Sequence, residues 1–301
     1  MKKILNPNFI TGFTDAEGCF HVSIVSSLEL KTGKSVRVLF QISLNKKDKP
    51  LLELIKYFFG VGKIIDRKDG VFYYQVSSVK DLKQVFEHFD KYPLLSQKRA
   101  DYELFKQVIN LILSKQHLTA NGLQEIVNVK SSMNFGLSDS LQESYPNIVP
   151  VNRPIIEYQK IPDPNWVSGF VDGEGCFFIN IYKKNSSVLG EGVKLVFKIT
   201  QDKRNNELLK SFVKIFGCGG IYNQTISGNV QDFIVTKFSD ITDKIIPFFE
   251  ANPLQGAKSK EFANFKEVAE LMKFKAHLTR EGLEKIRAIK LRMNSRRSDI
   301  S

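Results

Sequence analysis

Hydrophobic and polar residues alternate singly in two stretches near the start of the chain. Phe20, Val22 and Ile24 point one way while His21 and Ser23 point the other. Val36, Val38, Phe40 and Ile42 likewise oppose Arg37, Gln41 and Ser43. A period of two marks strands with one apolar face. The pattern returns later in the chain. Phe177, Ile179 and Ile181 oppose Phe178, Asn180, Tyr182 and Lys184, and Val193, Leu195, Phe197 and Ile199 oppose Lys194 and Lys198. Helical spacing runs from Asp48 to Phe59, Leu82 to Phe89, Arg99 to Leu113 and Asn205 to Phe216. Asn6-Pro7-Asn8 and Asp163-Pro164-Asn165 supply helix-start chemistry. The order is therefore helix, two strands, helix, two strands, then helices, met twice. It predicts an α+β fold of two αββαββα domains, each with helices on one face of an antiparallel sheet. The other sheet face carries basic, amide, hydroxyl and aromatic side chains.

The two halves are copies of one another. Residues 10–20, ITGFTDAEGCF, lie over residues 167–177, VSGFVDGEGCF. The offset is 174 − 17 = 157 at the glutamates and 197 − 40 = 157 at Phe40 and Phe197. Gly60 and Gly62 keep it with Gly217 and Gly219. It becomes 253 − 93 = 160 at Pro93 and Pro253, and stays there for the HLT segments at His117 and His277 and for Met133 and Met293. Two domain-sized copies make a duplication, not a solenoid. Between them Pro146, Pro150, Pro154 and Pro162 fall in a stretch with little periodicity. The expected division is a first domain at residues 1–135, a linker at 136–162 and a second domain at 163–301.

Charge narrows the partner. The formal net charge is +12, from 44 Lys+Arg against 32 Asp+Glu, which suits a polyanion, nucleic acid first. Three separated cysteines, Cys19, Cys176 and Cys218, form neither a disulfide framework nor a CxxC zinc pair. No run approaches the roughly 18 to 20 apolar residues that span a membrane. Met1 to Asn8 has neither an apolar signal core nor an arginine-rich presequence, so secretion and import by such a presequence are not expected.

The repeated segment holds the candidate chemistry. Gly12 and Ala16, and Gly169 and Gly173, are four apart and share a helix face. Small residues at that spacing let two helix backbones approach closely, so the two repeated helices are expected to pair. Glu17 and Glu174 then come at the helix C-terminal ends, followed by Gly18 and Gly175, where glycine commonly ends a helix. That end of the dipole is negative, and two carboxylates there call for a cation. Hard oxygen ligands suit Mg²⁺. Asp15 and Asp172 fall on the opposite side and read as structural or capping groups.

These two segments resemble the paired motif of the LAGLIDADG homing endonucleases, particularly the single-chain monomeric type encoded in fungal mitochondrial introns. The likeness covers nearly the whole chain. It implies metal binding by Glu17 and Glu174 and by the backbone carbonyls of Ala16 and Gly173, with Mg²⁺ as the ion and Mn²⁺ or Ca²⁺ as substitutes. It implies a water-organising glutamine at Gln201, where the first half has Leu44, and basic residues near the scissile phosphates at Lys98 and Lys258. His117 and His277 read as structural. The implied reaction is hydrolysis of one phosphodiester on each DNA strand, in the mitochondrion, by a monomer. Sheets of about 10-residue strands, end to end, would cover roughly 20 base pairs of major groove. Arg37, Gln41, Asn180, Lys184, Lys194 and Lys198 are the candidate DNA contacts. Some members of this family act on their host intron RNA as maturases, and a non-catalytic DNA-binding regulator is the other rival. Loss of a glutamate would have favoured either rival, and both glutamates are present.

Overall fold

The computed structural model describes residues 3–224 and 228–294. The chain divides into two compact units, residues 1–159 and 160–301. The first opens with α1 (Pro7–Glu17), β1 (Gly18–Ser26), β2 (Lys34–Asn45), α2 (Lys49–Phe59), β3 (Lys63–Asp66) and β4 (Val71–Val76). It continues through α3 (Val79–Lys91), α4 (Lys98–Leu113), α5 (Ala120–Ser131) and α6 (Asp139–Ser144). Its sheet is antiparallel with strand order β1-β2-β4-β3. The second unit repeats the plan with α7 (Pro164–Glu174), β5 (Gly175–Lys183), β6 (Glu191–Asp202), α8 (Asn206–Phe216), β7 (Gly220–Asn223) and β8 (Val230–Val235). Its sheet order is β5-β6-β8-β7. A helical stretch follows as α9 (Phe238–Asp240), a π-turn at Ile241–Ile245 and α10 (Ile246–Ala251), then α11 (Lys258–Lys273) and α12 (Arg280–Asn294).

The period-two apolar faces become the cores. In the first unit Phe20 and Phe40, ladder partners on β1 and β2, stack at 5.2 Å and meet Phe89, Tyr102 and Phe105 from α3 and α4. In the second unit Phe177 and Phe197 repeat the pair at 5.1 Å, under Phe249 and Phe265. Each buried aromatic of this kind contributes about 2 to 3 kcal/mol by removal from water, and edge-to-face neighbours add to that.

The segment after α5 packs with the first unit. Arg153 grips the carboxylate of Asp101 with both Nη atoms, at 2.7 and 2.9 Å, and also donates to the carbonyls of Ser132 and Gln97. The residues expected as linker thus include a short helix and a half-buried anchor.

Buried polar groups fasten α1 to the turn after α3. The Thr11 hydroxyl donates to the carbonyl of Tyr92 at 3.0 Å and lies 3.1 Å from His88 Nε2. Its single proton is committed, so the imidazole must be the Nε2–H tautomer, donating to the hydroxyl oxygen. Burial pushes the His88 pKa down to about 4. A free imidazole protonates near 6.5. Between those values the unfolded chain holds the extra proton, so stability is full above about pH 6.5 and is lost as pH falls toward 4. Urea unfolding from pH 7 to pH 4.5 should show this decline, with a shallower slope in His88→Asn. An equal slope in both proteins would contradict the assignment.

Candidate active site and nucleic-acid interface

Both glutamates stand at a junction with no connecting loop. Asn6 Oδ1 accepts from Asn8 N at 2.8 Å and Asp163 Oδ1 from Asn165 N at 2.7 Å, starting α1 and α7 with proline in the first turn. Seven consecutive residues of α1, Phe9 to Asp15, are buried, and so are Trp166 to Asp172 of α7. These helices are buried around their whole circumference and belong to the interior, with Thr11, Asp15, Ser168 and Asp172 among their buried polar groups. Glu17 and Glu174 are their last residues, half-buried, and the next residue is already the first of a strand.

The glycine after each glutamate has a different reason from the one expected. Gly18 and Gly175 are extended, with φ of −74° and −75°, not left-handed. A Cβ on Gly18 would lie 2.4 Å from Thr14 Cγ2 and 2.8 Å from the Thr14 carbonyl oxygen; on Gly175 it would lie 2.5 Å from Val171 Cγ1. The strand leaves so close to the last helical turn that no side chain fits.

Aspartate and lysine arrange the helix end in each unit. Asp15 accepts from Leu95 N at 2.9 Å, Ser96 N at 3.0 Å and the Ser96 hydroxyl at 2.6 Å. Burial pushes its carboxyl up and these donors oppose the shift. Asp172 accepts from Gln255 N at 2.6 Å and Gly256 N at 2.7 Å. Each aspartate ties its helix to the turn that begins the lysine-bearing helix. The lysine at that helix start then reaches back. Lys98 Nζ donates to the carbonyls of Thr14 at 3.1 Å and Ala16 at 3.0 Å. Lys258 Nζ donates to those of Val171 at 3.0 Å and Gly173 at 2.6 Å. In both units a cation therefore rests on the carbonyl just before the glutamate, at the negative end of the helix dipole.

Glutamine and leucine mark the difference between the units. Gly18 pairs with Ile42 and Gly175 with Ile199, so Leu44 and Gln201 lie two residues, about 7 Å, further along the second strand. Gln201 faces Gln231 across the ladder and accepts from Asn205 Nδ2 at 2.9 Å. Leu44 faces Phe72 and packs on the core. One amide-lined position is matched by an apolar one.

Donor chemistry decides what ion such a site suits. Among the described residues no group of three or more His, Cys, Asp or Glu gathers to hold a metal. One carboxylate and one helix-end carbonyl per unit are hard oxygen donors, the few-ligand set that leaves room for water and substrate oxygens. The lysine contacts show that each of these carbonyls accepts from a positively charged group. Cys19, one residue beyond Gly18, has its thiol pushed up by burial, so it is not an ionised nucleophile.

The open sheet faces hold most of the remaining candidates. Arg37 is exposed opposite Ser23, and Lys194 is exposed opposite Asn180 at the equivalent rung. Gln41 accepts from Gln75 Nε2 at 2.7 Å and donates to the Ser43 hydroxyl at 2.7 Å. Lys198, its counterpart, lies 3.5 Å from Asp232. Lys184 lies one residue beyond β5, in the hairpin, and lowers the pKa of His277 after burial does. His117 and His277 sit in 3-10 turns ahead of α5 and α12, where Thr119 and Thr279, not the histidines, accept from Gly122 N and Gly282 N. Sequence reasoning missed Gln75, Gln224 and Asp232, which are joined to these residues only across the ladders. It also missed Lys290, whose Nζ stands 5.6 Å from the Phe178 ring centroid.

A family model described as LAGLIDADG endonuclease matches residues 10–109 and 167–269. A relative named probable intron-encoded endonuclease 2, from Neurospora crassa, is 43% identical over 301 residues, covering 95% of this chain and 64% of that protein. An uncharacterised 50.9 kDa protein in ND4 intron 1 of Podospora anserina is 50% identical over 117 residues, covering 38% of this chain and 26% of that one. The chain spans less than two thirds of the length of these curated relatives. Among solved structures, I-SmaMI bound to uncleaved DNA target in the presence of calcium ions is 42% identical, with a TM-score of 0.94 over 96% of this chain and 99% of that one. The I-SmaMI LAGLIDADG homing endonuclease bound to cleaved DNA is 42% identical, with a TM-score of 0.94 over 97% of each chain.

Proposed function

Because the chain belongs to the LAGLIDADG endonuclease family, we propose that it is a site-specific endonuclease that hydrolyses one phosphodiester on each strand of a long, asymmetric DNA target. The observation that carries this reading is the repeated group at each helix end: Glu17, the Ala16 carbonyl and Lys98, and again Glu174, the Gly173 carbonyl and Lys258. Similarity to I-SmaMI, solved on uncleaved target with calcium and on cleaved DNA, supports it. The fungal intron relatives support a mitochondrial setting.

Each unit would grip a half-site with its open sheet face. A 12-residue strand such as β2 or β6 extends about 40 Å, enough for roughly 10 base pairs, and the two units of one monomer together serve about 20. Arg37, Gln41, Asn180, Lys194 and Lys198 supply donors to base edges or phosphates. Lys184, in the hairpin, would meet the backbone.

At the helix ends Glu17 with the Ala16 carbonyl, and Glu174 with the Gly173 carbonyl, would hold a divalent cation, Mg²⁺ in the working enzyme and Mn²⁺ or Ca²⁺ as substitutes. Bound there, the ion supplies the charge that activates water and steadies the leaving oxygen. Lys98 and Lys258 place a positive charge where negative charge grows on the phosphate. Asp15 and Asp172 hold the lysine helices in register with α1 and α7. Gln201 both accepts and donates, and so can orient a water; Leu44 can do neither.

The unequal partners give the test. Time courses with each strand separately labelled, in Mg²⁺, should show the two strands cut at different rates with a nicked duplex accumulating. Gln201→Leu should slow one strand about 10-fold or more beyond the other. Equal slowing of both strands with a lower melting temperature would assign Gln201 to the core instead.

A further inference from the structure

Besides Asp202 at the end of β6, the open face of the second sheet carries a carboxylate within β8, among basic and polar side chains. Asp232 is the third residue of β8, paired across the ladder with Thr200 on β6 and Tyr222 on β7. It is 8% exposed. The Thr200 hydroxyl donates to Oδ1 at 2.6 Å, and Gln224 Nε2 spans both oxygens at 2.9 and 3.0 Å. Lys198 Nζ lies 3.5 Å from Oδ2. The third position of β4 in the first unit is Tyr73, whose hydroxyl accepts from Arg67. Its neighbours Gln41, Ser43 and Gln75 form a neutral amide chain. At equivalent rungs the second unit therefore has a carboxylate beside a lysine, where the first has a tyrosine held by an arginine beside neutral amides.

A carboxylate facing DNA is repelled by phosphates, so its presence needs a use that its neighbours define. Thr200 and Gln224 occupy its oxygens and fix its direction. What remains is the attraction on Lys198. An unrestrained lysine is a point charge on a flexible four-carbon stem and turns to the nearest phosphate. Lys198 is instead drawn along the sheet, where its ammonium has protons left for a base edge. Guanine, with O6 and N7 together, is the base whose major-groove edge takes a lysine best.

We propose that Asp232 is a specificity-determining positioning residue: by holding Lys198 on the sheet with Thr200 and Gln224, it makes the second half-site demand a guanine at one position. This rests on the reading that the β5–β8 face lies on DNA. It gives the second unit charged readout where the first, through Gln41 and Gln75, has amides suited to adenine.

The test uses the whole enzyme and a set of duplexes in which each base pair of its target is replaced singly. Cleavage rates and binding are measured for the parent, Asp232→Asn and Lys198→Met. Both variants should lose about 10-fold of discrimination at the same one or two base pairs, one of them G·C, with the rest of the profile unchanged. Asp232→Asn, having lost a negative charge, should bind unrelated duplex as well as the parent or better. A flattened profile in Lys198→Met beside a parental one in Asp232→Asn would overturn the role of Asp232 and keep the sheet as the reading surface. Parental profiles in both would overturn the DNA-facing sheet itself. A uniform loss over all duplexes, with a lower melting temperature, would make Asp232 a structural residue. Should Asp232→Asn fold poorly, Thr200→Val removes one donor to the carboxylate with little change of shape. It should relax the same base pairs by a smaller factor; an unchanged profile there would count against the proposal.

Discussion

Glu17→Gln and Glu174→Gln should each abolish double-strand cleavage, lowering it about 1,000-fold or more, while DNA affinity stays within a few-fold of the parent. The amide keeps the size of the carboxylate but removes the charge that a divalent cation needs at a helix end already negative. Affinity is spread over many phosphate and base contacts on the sheets, so one residue at a helix terminus contributes little to it. A plasmid carrying the target should stay supercoiled or become nicked in either variant. Linear product at the parental rate in either one would remove that glutamate from the chemistry.

Lys98→Met and Lys258→Met should each slow cleavage of one strand about 100-fold, the usual cost of losing one preorganised donor. Each ammonium also holds two carbonyls, Thr14 and Ala16 or Val171 and Gly173, so a loss of about 1 to 3 kcal/mol of stability should accompany the rate effect. The two effects separate by temperature. Well below the melting point the protein is folded, and only the catalytic loss should remain in strand-resolved rates. Recovery of parental rates under those conditions would leave the lysines as helix caps alone.

The repeat, the strands and the glutamates were legible because each leaves a local trace. Single alternation sets the face of β1, β2, β5 and β6, and the eleven-residue segments ending at Phe20 and Phe177 align by eye. The carbonyl contacts of Lys98 and Lys258 were not legible, since those partners lie more than 80 residues away and depend on how Asp15 and Asp172 hold the intervening turns. Glycine after the glutamate was foreseen for the wrong reason: composition cannot distinguish a left-handed cap from a strand that leaves too close for a Cβ. The substitution of Leu44 and Phe72 by Gln201 and Gln231 could be read at one strand only. The pairing that makes it a matched change comes from the β2–β4 and β6–β8 registers. Asp232 was missed for the same reason, as β8 lies 28 residues past the end of β6 and no local pattern joins them.

The most direct measurement of the central claim is digestion of a randomised duplex library in Mg²⁺, followed by sequencing of the new ends. The duplicated carboxylate–carbonyl–lysine group predicts one long asymmetric target, cut once on each strand, and no ends at all when EDTA is in excess. Cleavage that persists in EDTA, or a library left intact in Mg²⁺ by a protein that binds DNA, would contradict it.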